Sequence, residues 1–431
     1  MSKLGDFVRV QGGYAFKSSE LSDDKTGVPV IKIGNITGGS FVDLSNYQSV
    51  SFQLFEKTKS FATKDNDILI AMTGANVGKT SRVPVNSDAY LINQRVGRFL
   101  LKEDCPYTSD FIYYVVSSKQ AYQYFSRVAD GAAQPNISGK TIEDLEFPNI
   151  DSRCANKIGN ILKSLDDKIQ LNTQINQTLE QIAQTIFKSW FIDFDPVHAK
   201  ANALASGQTL EQATQAAMAV ISGKNTQELH RLQTANPEQY QQLWEIADAF
   251  PSGVDEEGVP WGWEERYLKD VCNIVYGKNL PTSELKEQGY PVFGGNGVIG
   301  FYDKYLYEKP HTLVSCRGAA SGKVIYSLPN SFVTNNSLVI EHSKSYLSSF
   351  YVYEALSIQN LTELTSGSAQ PQMTIANMNP VQIMVPTEIV HSLYVDFVKD
   401  IYDKKLCRLY ENEILSKIRD ELLPKLLSGE V

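Results

Sequence analysis

The sequence predicts an α+β protein: two duplicated, mainly β domains separated by two long antiparallel helices forming a coiled-coil spacer, with a helical insertion. Three observations predict it. Four strings recur in the same order in the two halves of the 431-residue chain. A long amphipathic stripe follows each recurrence. An acidic, Ala- and Gln-rich segment stands between the first stripe and the second copy.

The duplication is read from matched strings. Leu4-Gly-Asp6 followed by VRVQGG returns as Leu268-Lys-Asp270 followed by CNIVYGK. VPVIKIGNITGG at 28–39 returns as YPVFGGNGVIG at 290–300. DILIAMTGANVGKTSRVPVNSDAYLINQ at 67–94 answers to HTLVSCRGAASGKVIYSLPNSFVTNN at 311–336. DGAAQPNIS at 130–138 answers to SGSAQPQMT at 366–374. The repeat is far longer than a solenoid unit, so the copies are whole domains, 1–150 and 263–387. Their Val, Ile, Tyr and Phe content, with Gly, Pro and Asn at turns, favours strands. Helices are expected within them at 111–127 and 349–364.

Each copy runs through a short strand ending at a proline into a helix. The first helix, 151–193, carries apolar residues at 158, 162, 165, 169, 175, 179, 182 and 186, a single stripe at helical spacing. The C-terminal helix, 388–431, has a looser stripe through Leu393, Phe397, Ile401, Leu406, Leu409, Ile414, Ile418 and Leu422. At 1.5 Å per residue each would reach about 45–60 Å, and such stripes need a partner. Between them, 194–262 reads as two or three short helices, one starting at Asn236-Pro237, and ends in a Pro/Gly-rich linker.

Composition narrows the function. The formal net charge is −9, which disfavours a phosphate-binding protein at first sight. From Asp193 to Glu265, however, there are twelve acids and three bases, so this segment carries the whole imbalance. The remainder is neutral, and charge leaves nucleic-acid binding open. No apolar run is long enough for a membrane span, and MSKLGDFVRVQGG lacks an export signal's apolar stretch. The five cysteines are scattered, as expected for free thiols in a reducing cytoplasm.

Catalytic motifs are weak. Gly74-Ala-Asn-Val-Gly78-Lys79-Thr80 is one residue short of a phosphate-binding loop, and its duplicate Gly318-Ala-Ala-Ser-Gly322-Lys323-Val324 lacks the hydroxyl that would meet Mg2+. A glycine turn between two strands explains both. There is no Asn/Asp-Pro-Pro-aromatic methyltransferase loop, and no histidine pair at metal-ligand spacing. Asp166-Asp167 is expected on the solvated face of its helix. No catalytic residue and no metal site are expected.

With this plan the sequence resembles the specificity subunits of type I restriction-modification systems. The resemblance spans essentially the whole chain. Its most specific match is QTIFKSWFIDFDPVHAKA at 184–201, then the Gly-x3-Gly-Lys turns, the Ala-Gln-Pro strings and the closing DELLPKLLSGEV. It implies a non-catalytic reader of double-stranded DNA, with two target recognition domains, each for half of a split sequence, and helices that set the gap. It also implies methyltransferase subunits using S-adenosylmethionine, and an ATP- and Mg-dependent restriction and translocase subunit. This chain itself would bind no cofactor. The acidic insertion falls outside the minimal plan.

Base readout calls for Arg, Lys, Asn and Gln on loops. The candidates are Lys79, Arg82, Gln134 and Asn136 in the first domain, and Arg317, Lys323, Gln370 and Gln372 in the second. Each also has a plainer reading as turn chemistry. Two rival functions stand beside the reader. A fused methyltransferase-nuclease would methylate DNA unaided, and a tandem adhesion or scaffold protein would show no salt-sensitive DNA binding.

Overall fold

The computed structural model describes residues 2–85, 88–129, 135–367 and 371–428. Gln134 and Gln370 lie outside the described residues. The chain divides into two compact units, Met1–Thr173 with Leu409–Val431, and Gln174–Arg408.

The first unit contains β1 (Val8–Gly12), β2 (Val28–Ile31), β3 (Gln48–Val50), α1 (Phe52–Thr58), β4 (Ile68–Ala71), β5 (Thr80–Arg82), β6 (Leu91–Ile92) and β7 (Val96–Leu101). Then come α2 (Ser109–Ser117), α3 (Lys119–Ala129), α4 (Gly139–Glu143) and the start of α5 (Ser152–Phe191). β1, β7, β4 and β5 form an antiparallel sheet in that order. β2 pairs β3 antiparallel and β6 parallel in a second, three-stranded sheet. All four residues of β4 are buried, as an unbroken apolar run requires of a strand covered on both faces.

The second unit takes up the rest of α5, then α6 (Asp195–Ala205), α7 (Leu210–Ser222), α8 (Thr226–Ala235) and α9 (Pro237–Ala249). It continues with β8 (Glu264–Tyr267), α10 (Leu268–Val271), β9 (Asn273–Tyr276), β10 (Tyr290–Gly294), β11 (Gly297–Tyr302), β12 (Thr312–Ser315), β13 (Val324–Tyr326), β14 (Phe332–Val333) and β15 (Ser337–Glu341). It closes with α11 (Ser349–Ser357), α12 (Ile375–Met378), β16 (Gln382–Val385) and α13 (Glu388–Ser428), whose last part belongs to the first unit. Here β9, β15, β12 and β13 repeat the order of β1, β7, β4 and β5. β10 pairs β11 antiparallel and β14 parallel, as β2 pairs β3 and β6. The β8–β16 pair has its counterpart in the single bridge Lys3–Glu146. The fold is therefore α+β, with the sheet-rich plan used twice.

Several local expectations need correction. The helix expected over 111–127 is two helices. Ser118 is extended (φ −61°, ψ 152°), and its Oγ accepts from Ala121 N at 3.2 Å, capping the second. The acidic segment holds four helices instead of two or three. Asn236 caps α9 by accepting from Gln239 N, with Pro237 at the first helical position. The buried Lys200 ammonium donates to the carbonyls of Ala247, Asp248 and Phe250, the free acceptors at the end of α9. One of the three bases in that segment is thus spent on structure.

The long helices run antiparallel in each unit. In the first, Asp166 meets Arg419 and Asn172 meets Glu411 and Asn412. In the second, Asn176 meets the Lys405 carbonyl, and Glu180 pairs with Lys405. The seam is more polar than the stripes imply: Ile182, Leu409, Ile414 and Ile418 are exposed, while Asp166 and Asn172 are buried. Each helix is anchored in a sheet-rich core. Leu162 of α5 and Leu422 and Leu426 of α13 pack with Phe111 and Phe125. Phe187, Trp190 and Phe191, from the IFKSWF string, join Tyr351, Tyr394 and Val398.

Candidate nucleic-acid interface

Two loops meet in each domain, and the same backbone bonds join them. The first is the turn between β4 and β5, or β12 and β13. Its glycines take positive φ: 77° and 82° at Gly74 and Gly78, 74° and 90° at Gly318 and Gly322. L side chains resist that conformation. A Cβ on Gly78 would lie 2.8 Å from the Phe125 Cβ, and one on Gly322 would lie 2.8 Å from Thr362 N. The repeated spacing is thus a packed hairpin turn. The second loop is the end of the Gln-Pro string, which bridges to the strand end just before the turn. Thr73 pairs with Asn136, and Arg317 pairs with Gln372. Gly74 N also donates to the Pro135 carbonyl at 3.1 Å, and Ser321 Oγ to the Pro371 carbonyl at 2.8 Å.

This geometry gathers Lys79 and Asn136 at one loop pair, and Arg317, Lys323 and Gln372 at the other. Asn136, Arg317, Lys323 and Gln372 are exposed, and Lys79 is half-buried. Each lysine is held by an amide oxygen: Lys79 Nζ donates to Asn76 Oδ1 at 3.0 Å, Lys323 Nζ to Asn296 Oδ1 at 2.6 Å. The result is a positioned lysine at the matched turn position of each domain, held by its own turn in the first and by the β10–β11 turn in the second. Gln134 and Gln370 fall in the undescribed parts of the same strings.

Arg82 does not belong to this set. Its side chain is 1% exposed, with a guanidinium 2.7 Å from the Asp166 carboxylate and 4.2 Å from the centre of the Tyr113 ring. The same carboxylate accepts from Tyr114 Oη at 2.7 Å and from Arg419 at 2.7 Å. Asp166, expected in solvent, is the hub of a buried network. Its spacing of four from Leu162, on the apolar face, was the available signal. Burial beside a carboxylate pushes the Tyr114 hydroxyl far above its ordinary range, so it stays a donor. Tyr326 takes the place of Arg82 in the second domain, pairing with Thr312 as Arg82 pairs with Ile68.

Two exposed residues beside the loops were not among the candidates. Arg95 and Asn336 lie at matched positions after β6 and β14. Their carbonyls accept from Met72 N and Cys316 N, both at 2.9 Å. The aligned strings LINQR and FVTNN carried that signal, one residue beyond the first quoted match. Among the described residues no cluster of His, Cys, Asp and Glu is arranged to hold a metal ion. Nor is any helix there long and apolar enough to cross a membrane.

The family model for the type I restriction modification DNA specificity domain matches residues 1–181 and 260–415. The chain belongs to the type I restriction-modification DNA specificity family. The stretch between the two matched parts contains α6–α9. The specificity subunit of the type I restriction enzyme HindI from Haemophilus influenzae is 32% identical, over 94% of each chain. That of the enzyme MjaIX from Methanocaldococcus jannaschii is 23% identical, over 94% of this chain and 89% of the relative. The crystal structure of the type I restriction-modification S subunit from M. genitalium shares the fold at TM-score 0.51 and 16% identity, covering 98% of this chain and 94% of that one. This chain is a DNA-specificity subunit, and not itself an enzyme.

Proposed function

We propose that each sheet-rich domain reads one half of a split double-stranded DNA sequence and that the antiparallel helices set the number of unread base pairs between the halves. The observation that carries this reading is the repeated loop pair. The same backbone framework is displayed twice, with a positioned lysine in both and different side chains beside it. Two different readers on one scaffold suit an asymmetric bipartite site. Phosphate contacts from a shared lysine would fix register, and the differing side chains would choose bases.

The remaining chemistry belongs to partners acting on DNA in the cytoplasm. Methyltransferase subunits docked on the helices would bring S-adenosylmethionine. A restriction and translocase subunit would bring ATP and Mg2+. The specificity subunit contributes binding and orientation, and no cofactor site of its own. Long-read methylation mapping tests this, in cells carrying the chain with and without its methyltransferase partner. A split motif with a fixed gap, seen only when both are present, is the expected result. A stable complex that adds no methylation overturns it.

A further inference from the structure

The two loop pairs differ at three matched positions, and the arginine changes place between them. The first domain shows Thr73, Arg95 and Asn136, and the second shows Arg317, Asn336 and Gln372. The positions correspond by backbone bonding and not only by alignment. Met72 N donates to the Arg95 carbonyl, and Ile137 N to the Met72 carbonyl, both at 2.9 Å. Cys316 N donates to the Asn336 carbonyl at 2.9 Å, and Met373 N to the Cys316 carbonyl at 3.2 Å. Each strand end is therefore flanked by the same two segments. The guanidinium rises from a flanking segment in one domain and from the strand end in the other.

Both arginines are exposed, and neither guanidinium makes a hydrogen bond or ion pair with the described residues. Arg82 and Arg98, in contrast, are buried against Asp166 and Asp67. A guanidinium so placed presents a rigid fork of donors that matches O6 and N7 of guanine, and using it for DNA breaks no bond among the described residues. Lys79 and Lys323 differ in kind. They are point charges common to two domains that read different sequences, so they suit phosphates.

We infer that Arg95 reads a guanine in the half-site of the first domain, and Arg317 reads a guanine in the half-site of the second. The two guanines do not occupy corresponding positions in the halves, because the arginines stand on different segments. This rests on the bipartite reading above.

The test replaces each arginine by its counterpart's residue, Arg317→Thr and Arg95→Asn, in the full chain co-expressed with its methyltransferase subunits. Long-read methylation mapping is the readout. Arg317→Thr is expected to relax one G·C position in one half, lowering discrimination there on the order of 10- to 100-fold. Arg95→Asn does the same in the other half. The half left intact reports that the chain is folded and assembled. An unchanged motif overturns the assignment. So does an even loss over all sites, up to complete loss in an assembled complex, since that is the behaviour of a phosphate contact. A wild-type chain that yields no split motif overturns the bipartite reading itself. A split motif untouched by either substitution removes only the arginine assignment.

Discussion

At the scale of single residues, the two domains meet their helices through different buried polar groups. Asp166 in the first unit answers Arg82, Tyr114, Arg419 and Ser40 at once, so its carboxylate is fully engaged although buried. Removing Asp166 leaves the buried Arg82 guanidinium, among the described residues, with only the longer carboxylate contact to Asp110, at 3.4 Å. Asp166→Ala is expected to cost about 3–5 kcal/mol, measured by urea unfolding; a loss below about 1 kcal/mol would mean the network is idle. In the second unit Tyr402 occupies the corresponding turn of α13 and donates to Glu354 Oε1 at 2.5 Å, while Glu354 Oε2 has no hydrogen-bond partner among the described residues. Burial lifts the Glu354 carboxyl from 4.5 to about 7. The folded state thus holds this proton more tightly than the unfolded one. Its contribution to stability is full below pH 4.5 and is lost as pH rises through about 7. The swing is up to about 3 kcal/mol. Melting temperature followed from pH 5 to pH 8 should fall less for Glu354→Gln than for wild type; parallel curves would sink the idea.

At the scale of elements, the glycine turns show what the sequence could and could not say. The duplicated spacing placed both hairpins, and the positive φ of Gly78 and Gly322 explains why glycine is required. Gly78→Ala would strain the backbone and press a Cβ against Phe125. It should destabilise the first unit by about 1–3 kcal/mol. A melt unchanged by the substitution would show the turn to be tolerant. The sheet-rich character of both copies was legible from their Val, Ile, Tyr and Phe content with Gly, Pro and Asn at turns, but the order of the strands was not. The long helices were legible from their stripes, but their seam was not. Ile414 and Ile418 look like core residues by type and spacing yet are exposed, while Asp166 and Asn172 look solvated and are buried. Hydropathy ranks residue types, whereas a buried polar residue is decided by partners far away in sequence, here Arg82 for Asp166 and Asn412 for Asn172. The same blindness placed Arg82 among the DNA contacts. Its pattern neighbours Lys79 and Asn136 do stand beside the loop pair, because the turn and the string are tied by backbone bonds.

At the scale of the whole molecule, duplication predicts independence. Each sheet-rich domain has its own core and anchors its own pair of helix segments, with Phe111 and Phe125 serving one and Tyr351 and Tyr394 the other. Residues in separate cores with no shared partners act additively. Exchange of residues 1–150 for the first domain of another family member should therefore rewrite one half of the methylated sequence and leave the second half and the gap intact. The replacement must keep a basic partner for Asp166 where Arg82 stands, or the graft will fail by stability and not by recognition. Lengthening α5 and α13 together by four residues is the complementary change. At 1.5 Å per residue it adds about 6 Å, or roughly one to two base pairs of B-DNA, so the gap should widen while both halves are kept. Methylation mapping reads both experiments. If the domain exchange altered both halves, the two readers would be coupled, and the repeated loop pairs would form one composite site instead of two.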